Sequence, residues 1–147
     1  MREIKFRGLD FYYGVKAGWG ENVWRFGDLS QCKNGDMRIN DKPRACGYGT
    51  VGSKVIPETV GQYTGLKDKN GVEIYEGDII LVEYEYDSYY SPETFVELYE
   101  IVFSDEYHAW FTKLNDGELG EWLYEYDGDL AVIGNIYDNP ELLEESR

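Results

Sequence analysis

The residues able to do covalent or metal chemistry are few. The chain of 147 residues has one histidine, His108, and two cysteines, Cys32 and Cys46. Nucleophilic triads of the usual kind need a histidine. His108 sits in Glu106-Tyr107-His108-Ala109-Trp110, a strand-like stretch, and no Gly-x-Ser-x-Gly elbow accompanies it. A surface or strand-edge histidine is the plain reading. Zinc asks for clustered His and Cys, which three scattered residues do not supply. Gly47-Tyr48-Gly49 and Gly61 to Gly65 fit neither nucleotide-binding template. No catalytic residue, metal site or cofactor is expected, and the chain reads as a non-enzyme.

Carboxylates are the exception. There are 29 Asp and Glu against 14 Lys and Arg, a net charge of −15. Residues 1–75 hold 12 basic and 9 acidic residues, net +3, whereas residues 76–147 hold 2 basic and 20 acidic residues, net −18. Such asymmetry gives the field a direction, and directed fields steer partners. Glu83, Glu85 and Asp87 recur at every second position, which on a strand sets them about 7 Å apart along one face. Tyr86, Tyr89 and Tyr90 lie beside them. Charge for steering and aromatics for anchoring make these six residues the candidate partner-binding set. The same carboxylates could serve acid–base or hard-cation chemistry, and Asp127-Gly128-Asp129 resembles part of a calcium loop without its spacing or closing Glu. A solvated face and an ordinary turn explain both more simply.

A different partner would be met by the first half. Lys42, Arg44 and Lys54 stand in a glycine-rich loop, 42–54, with Tyr48. Such a loop could touch phosphate and stack a base. The acidic half would repel the same backbone, so nucleic-acid binding is the alternative reading and a basic protein surface the preferred one.

The elements that must position these groups are short strands. Ile4 and Phe6 alternate with charged residues over Arg2–Arg7, a half-buried strand interrupted by Gly8. Phe11-Tyr12-Tyr13 and Val23–Phe26 read as further strands, the latter ended by Gly27-Asp28. Residues 14–22 and 40–54 read as loops. Asn34-Gly35, Asn70-Gly71 and Asn115-Asp116-Gly117 mark hairpins, the Asn-Gly pairs reading as two-residue turns. Ile79 to Val82 is the longest apolar run and extends as a strand through Tyr86, buried on both faces at its start and half exposed at its end. Phe95–Phe103, Tyr107–Leu114, Trp122-Leu123-Tyr124 and Leu130–Tyr137 complete the set. Asn139 as N-cap and Pro140 in the first turn predict a short C-terminal helix.

Many short strands with frequent turns predict a mainly β protein. The expected architecture is a small SH3-like or related barrel in the C-terminal half, packed on an N-terminal β-rich segment. The boundary falls between residues 1–58 and 59–147. No apolar run approaches the roughly 18 residues of a membrane span. The opening Met1–Arg7 has no apolar signal-peptide core, so the cysteines read as reduced thiols of a cytoplasmic protein.

Three segments carry a resemblance: Met1–Arg7, the block Val55–Gly71 continuing through Ile74-Tyr75-Glu76-Gly77-Asp78, and Val132–Leu143. In this order they resemble the YopX family of phage and prophage proteins. The resemblance implies a phage or prophage gene, a bacterial cytoplasmic setting and self-association as an option. It implies no catalytic residue. The turns Asp68–Gly71 and Glu76–Asp78 are its most specific features, and local folding chemistry is sufficient reason for them.

Overall fold

A computed structural model describes residues 3–14, 18, 20–41, 52–87, 89–90, 92–114, 116–126 and 129–145, with Tyr86, Asp87, Pro92 and Glu145 described by backbone alone. The strands are β1 (Phe6–Leu9), β2 (Trp24–Gln31), β3 (Met37–Asn40), β4 (Ser53–Val55), β5 (Gly61–Lys67), β6 (Glu73–Tyr75), β7 (Asp78–Asp87), β8 (Pro92–Ser104), β9 (Ala109–Lys113), β10 (Leu119–Trp122) and β11 (Leu130–Asn135), followed by helix α1 (Glu141–Glu145). They form two antiparallel sheets, ordered β4-β3-β2-β1-β5-β6 and β10-β9-β8-β7-β11. The chain divides into two compact units, Met1–Gly65 and Leu66–Arg147.

The mainly β expectation holds and the barrel does not. In the second sheet β10 and β11 are separate edges. Each neighbour pairs only inward, so nothing closes the sheet on itself, and closure is what defines a barrel.

In the first unit β1 pairs with β2 and β5. Gly8 and Gly27 lie inside strands rather than ending them: β2 runs on through Gly27, where a side chain would collide with the Asn40 carbonyl, 2.1 Å from an added Cβ. Phe11-Tyr12-Tyr13 is not a strand. The Asp10 carboxylate accepts the N–H groups of Tyr12 and Tyr13 at 2.8 and 2.9 Å and bends the chain around itself. Its other oxygen accepts Arg25 Nε at 2.8 Å. Thr59 closes the same unit, accepting the Leu9 N–H at 2.9 Å while its hydroxyl donates to the Ile56 carbonyl at 2.6 Å.

The second unit has its core on one face of the five-stranded sheet: Ile74, Ile80, Val82, Ile101, Leu123, Tyr126 and Leu130. Trp122-Leu123-Tyr124 is not one strand, because β10 stops at Trp122 and Leu123–Tyr126 form a 3-10 turn that drops Leu123 and Tyr126 into this core. The three Asn/Asp-Gly hairpins share one form. Cys32 with Asp36, Asp68 with Val72 and Leu114 with Glu118 close three-residue loops, each ending in a glycine of positive φ: Gly35 at 92°, Gly71 at 81°, Gly117 at 88°. Asn34 and Asn70 keep negative φ, since His108 is the one described non-glycine residue with positive φ. The first two loops are type I turns followed by a left-handed glycine, not the two-residue turns expected.

The Gly77 turn is the hub of the second sheet. At φ 87° its N–H reaches the Ile101 carbonyl and its carbonyl accepts the Ile136 N–H, tying β7 to both neighbours. Asp78 holds the turn by accepting the Tyr75 N–H at 2.7 Å. Helix α1 begins at Glu141, and the Asn139 side chain turns back to accept the Asn135 N–H at 3.4 Å. α1 packs against β8.

Candidate partner-binding surface

β7 and β8 make a long hairpin, paired from Ile79↔Glu100 to Asp87↔Pro92. Its base is core: Ile79 and Ile80 are fully buried. Beyond Val82 full burial ends. Glu83, Tyr84 and Glu85 on one strand and Glu93 to Glu97 on the other are all exposed. The sequence pattern had the strand end half exposed. Among the described residues no third strand pairs beside residues 83–87, so the hairpin continues as a two-stranded arm, with Tyr84 toward Tyr126 and Glu83 and Glu85 exposed.

The arm carries Glu83, Glu85, Glu93 and Glu97 beside Phe95 and Val96, which are 50% and 53% exposed. At its tip Tyr89 and Tyr90 are 97% and 93% exposed and meet edge to face, ring centroids 5.5 Å apart. So the structure brings Glu83 and Glu85 together on one strand face and sets both tyrosines at the tip. The side chains of Tyr86 and Asp87 lie outside the description, as do residues 42–51 of the basic loop and Cys46. Lys54, read as part of that loop, stands instead in β4, paired with Arg38 of β3, and is engaged within its own unit: its Nζ lies 3.7 Å from Asp36 and 3.8 Å from the centre of the Phe11 ring. Cys32 is a free, half-buried cysteine.

At the root of the arm Glu83 and Glu85 line a cavity of about 290 Å³ with Asp129 and Lys69. Lys69 arrives there through the Asp68 turn. One Asp68 oxygen accepts Asn70 N–H and Val72 N–H at 2.8 Å each; the other accepts Val132 N–H at 2.9 Å. The Lys69 N–H then donates to the Leu130 carbonyl at 3.1 Å. Burial works to raise the Asp68 pKa, but these three donors and Lys69 outweigh it and hold it below 3.8. Three carboxylates around one ammonium leave the groove negative. The sequence marks Lys69 and Asp129 only as turn residues; that they meet, 60 residues apart, depends on the Asp68 turn being tied to β11 through Leu130 and Val132.

On the core side Tyr84 faces Tyr126. Burial, then the hydrogen bond to Tyr126 and nearby negative charge, push the Tyr84 hydroxyl pKa upward, so it stays a neutral donor. Tyr126 in turn lies 3.3 Å from Thr112 Oγ1, which accepts the Glu121 N–H at 3.1 Å.

A second exposed feature lies on β9 and β10. Leu119 pairs with Lys113 and Trp122 with Phe111, so β10 carries one extra residue, a β-bulge. Gly120 sits in it, an added Cβ being only 2.3 Å from Thr112 Oγ1. The bulge brings Trp122 edge-on to Phe111, centroids 6.0 Å apart, within a run Tyr107–Phe111–Trp122–Tyr124. Tyr107, Trp122 and Tyr124 are exposed. Phe111, Gly120, Glu121, Trp122 and Glu125 line a notch of about 280 Å³.

His108 is exposed in the β8–β9 turn at φ 52°, not on a strand. Among the described residues no group of three His, Cys, Asp or Glu is placed to hold a metal ion. No described helix is long and apolar enough to cross a membrane.

Two antiparallel sheets, the five-stranded one with an acidic arm, define a mainly β protein. The YopX protein family model matches residues 16–144, and the chain belongs to that family. It is also similar to a solved structure, protein EF1440 from Enterococcus faecalis, at 27% identity and a TM-score of 0.57, covering 97% of this chain and 99% of that one. Comparison with curated proteins yields no match.

Proposed function

We propose that this YopX-family protein is a non-enzymatic binding module of phage or prophage origin, working in the bacterial cytoplasm. Its acidic second unit docks on a basic surface of a host or phage protein. The observation that carries this reading is the β7–β8 arm, bearing the exposed residues Glu83, Glu85, Glu93, Phe95 and Val96. A ribbon with so little core contact has weak folding reasons for its apolar residues, whereas exposed aromatic and aliphatic groups ringed by charge suit an interface. Residues 66–147 hold 22 Asp and Glu against 4 Lys and Arg, net −18, which favours a cationic partner and disfavours nucleic acid. Lys54, already held by Asp36 and Phe11, lends the basic-loop alternative no support.

The test is capture from a bacterial host lysate with the wild-type chain and with Glu83→Lys/Glu85→Lys/Glu93→Lys. These positions are exposed, so the variant retains its fold. Loss of the captured proteins in the variant supports the reading. Retention of every one of them sinks it.

A further inference from the structure

We propose that the notch between β9 and β10 seats an arginine side chain of the basic partner, stacked on Trp122 and countered by Glu121 and Glu125. This rests on the reading of the second unit as a basic-protein binder and assigns it a specific contact, separate from the β7–β8 arm.

The notch is built by the bulge. With one extra residue in β10, Trp122 comes level with Phe111 instead of one position beyond it, and the Glu121 N–H freed from the ladder is taken up by Thr112 Oγ1. Gly120 leaves the wall open, since any side chain there would meet Thr112. Phe111, 5% exposed, forms the floor, and Trp122, 40% exposed, forms a side. At about 280 Å³ the notch suits one long side chain and falls short of an ordinary small-molecule pocket.

Charge complementarity selects the occupant. The described lining offers two carboxylates and no cation. The nearest basic residue in sequence, Lys113, is held by Glu100 at 3.6 Å. An indole face attracts a cation, and a planar guanidinium both stacks on it and presents five donors to flanking carboxylates, which an ammonium cannot match. A nucleobase could stack equally, but Glu121 and Glu125 would repel its phosphates.

The experiment is two-dimensional amide and indole NMR on the full chain, at about 0.15 M salt to screen diffuse attraction. Three peptides are titrated, each with four Gly-X repeats, where X is arginine, lysine or citrulline. The expected result is saturable movement of the Trp122 indole and Gly120 amide with arginine, a severalfold weaker response with lysine, and none with citrulline. Glu121→Gln/Glu125→Gln, both exposed and isosteric, should weaken the arginine peptide roughly fivefold, with the spectrum itself reporting the fold. Movement at Glu83 and Glu85 with Trp122 silent overturns the notch and leaves the acidic-surface reading standing. Silence at both overturns both. Equal arginine and lysine responses, unchanged by the Gln variant, reduce the notch to diffuse electrostatics, and a Trp122 shift with a single-stranded oligonucleotide overturns the assignment.

Discussion

Asp68 shows how much one carboxylate can do when its two oxygens face different elements. It organises its own turn through Asn70 and Val72 and pins that turn to β11 through Val132. Asp68→Ala would leave these N–H groups without their acceptor and should cost about 3 kcal/mol by denaturant unfolding. Asp68→Asn keeps one acceptor and turns an NH₂ toward the Val132 N–H, so it should cost nearly as much. A smaller loss, under about 0.5 kcal/mol, would show the clamp to be dispensable. The folded pKa values of Asp68 and Asp10 are both lowered. For Asp10 burial opposes the shift, and the Arg25 hydrogen bond and the Tyr13 and Tyr12 N–H groups prevail. A depressed folded pKa contributes stability above the unfolded value, 3.8, and that contribution disappears as pH falls through the folded one. Relief of self-repulsion near the pI of 4.3 acts in the opposite direction. The aspartate effect is therefore read as a difference: between about pH 5 and pH 2 the wild type should lose more stability than Asp68→Asn.

At the scale of elements, β7 was legible from its pattern, whereas the alternation over Arg2–Arg7 misplaced β1, which begins only at Phe6 and runs through Gly8 to Leu9. Gly8 and Gly27 misled because glycine was read as a breaker where the structure uses it for close approach. The hairpins were located correctly, and at Asn34-Gly35 and Asn70-Gly71 the loop is one residue longer than read, because Asn-Gly is compatible with both two- and three-residue turns. Gly134 is the clearest case of glycine as a packing residue. An added Cβ would stand 2.4 Å from Asn139 Oδ1, the group that accepts the Asn135 N–H. Gly134→Ala should cost about 1–3 kcal/mol through this overlap. In an Asn139→Ala background the same change should cost at least about 1 kcal/mol less, measured as a double-mutant cycle. Additive costs would place the strain elsewhere.

For the whole molecule, the charge map was fully legible and its shape was not. Counting gave an acidic second half; only the pairing of β7 with β8 shows that part of this charge stands on an exposed two-stranded arm. The groove with Lys69 and Asp129, and the notch with Trp122, depend on strand register and on a bulge, which no local pattern encodes. Association with a basic partner should slow as ionic strength rises, over the range where the screening length falls from about 30 to about 8 Å. Glu83→Gln/Glu85→Gln should flatten that dependence while changing the dissociation rate little. A rate indifferent to salt would dismiss steering as the purpose of the charge.

The turns at Asp68, Gly77 and Asn135 fasten the base of the second sheet, and the arm begins where their hold ends. Tyr84 still leans on Tyr126 at the root, but labels or altered side chains at Tyr89, Tyr90 and Glu93 to Val96 act on exposed positions, so the outer hairpin can be rewritten for a new partner while the scaffold beneath it folds as before.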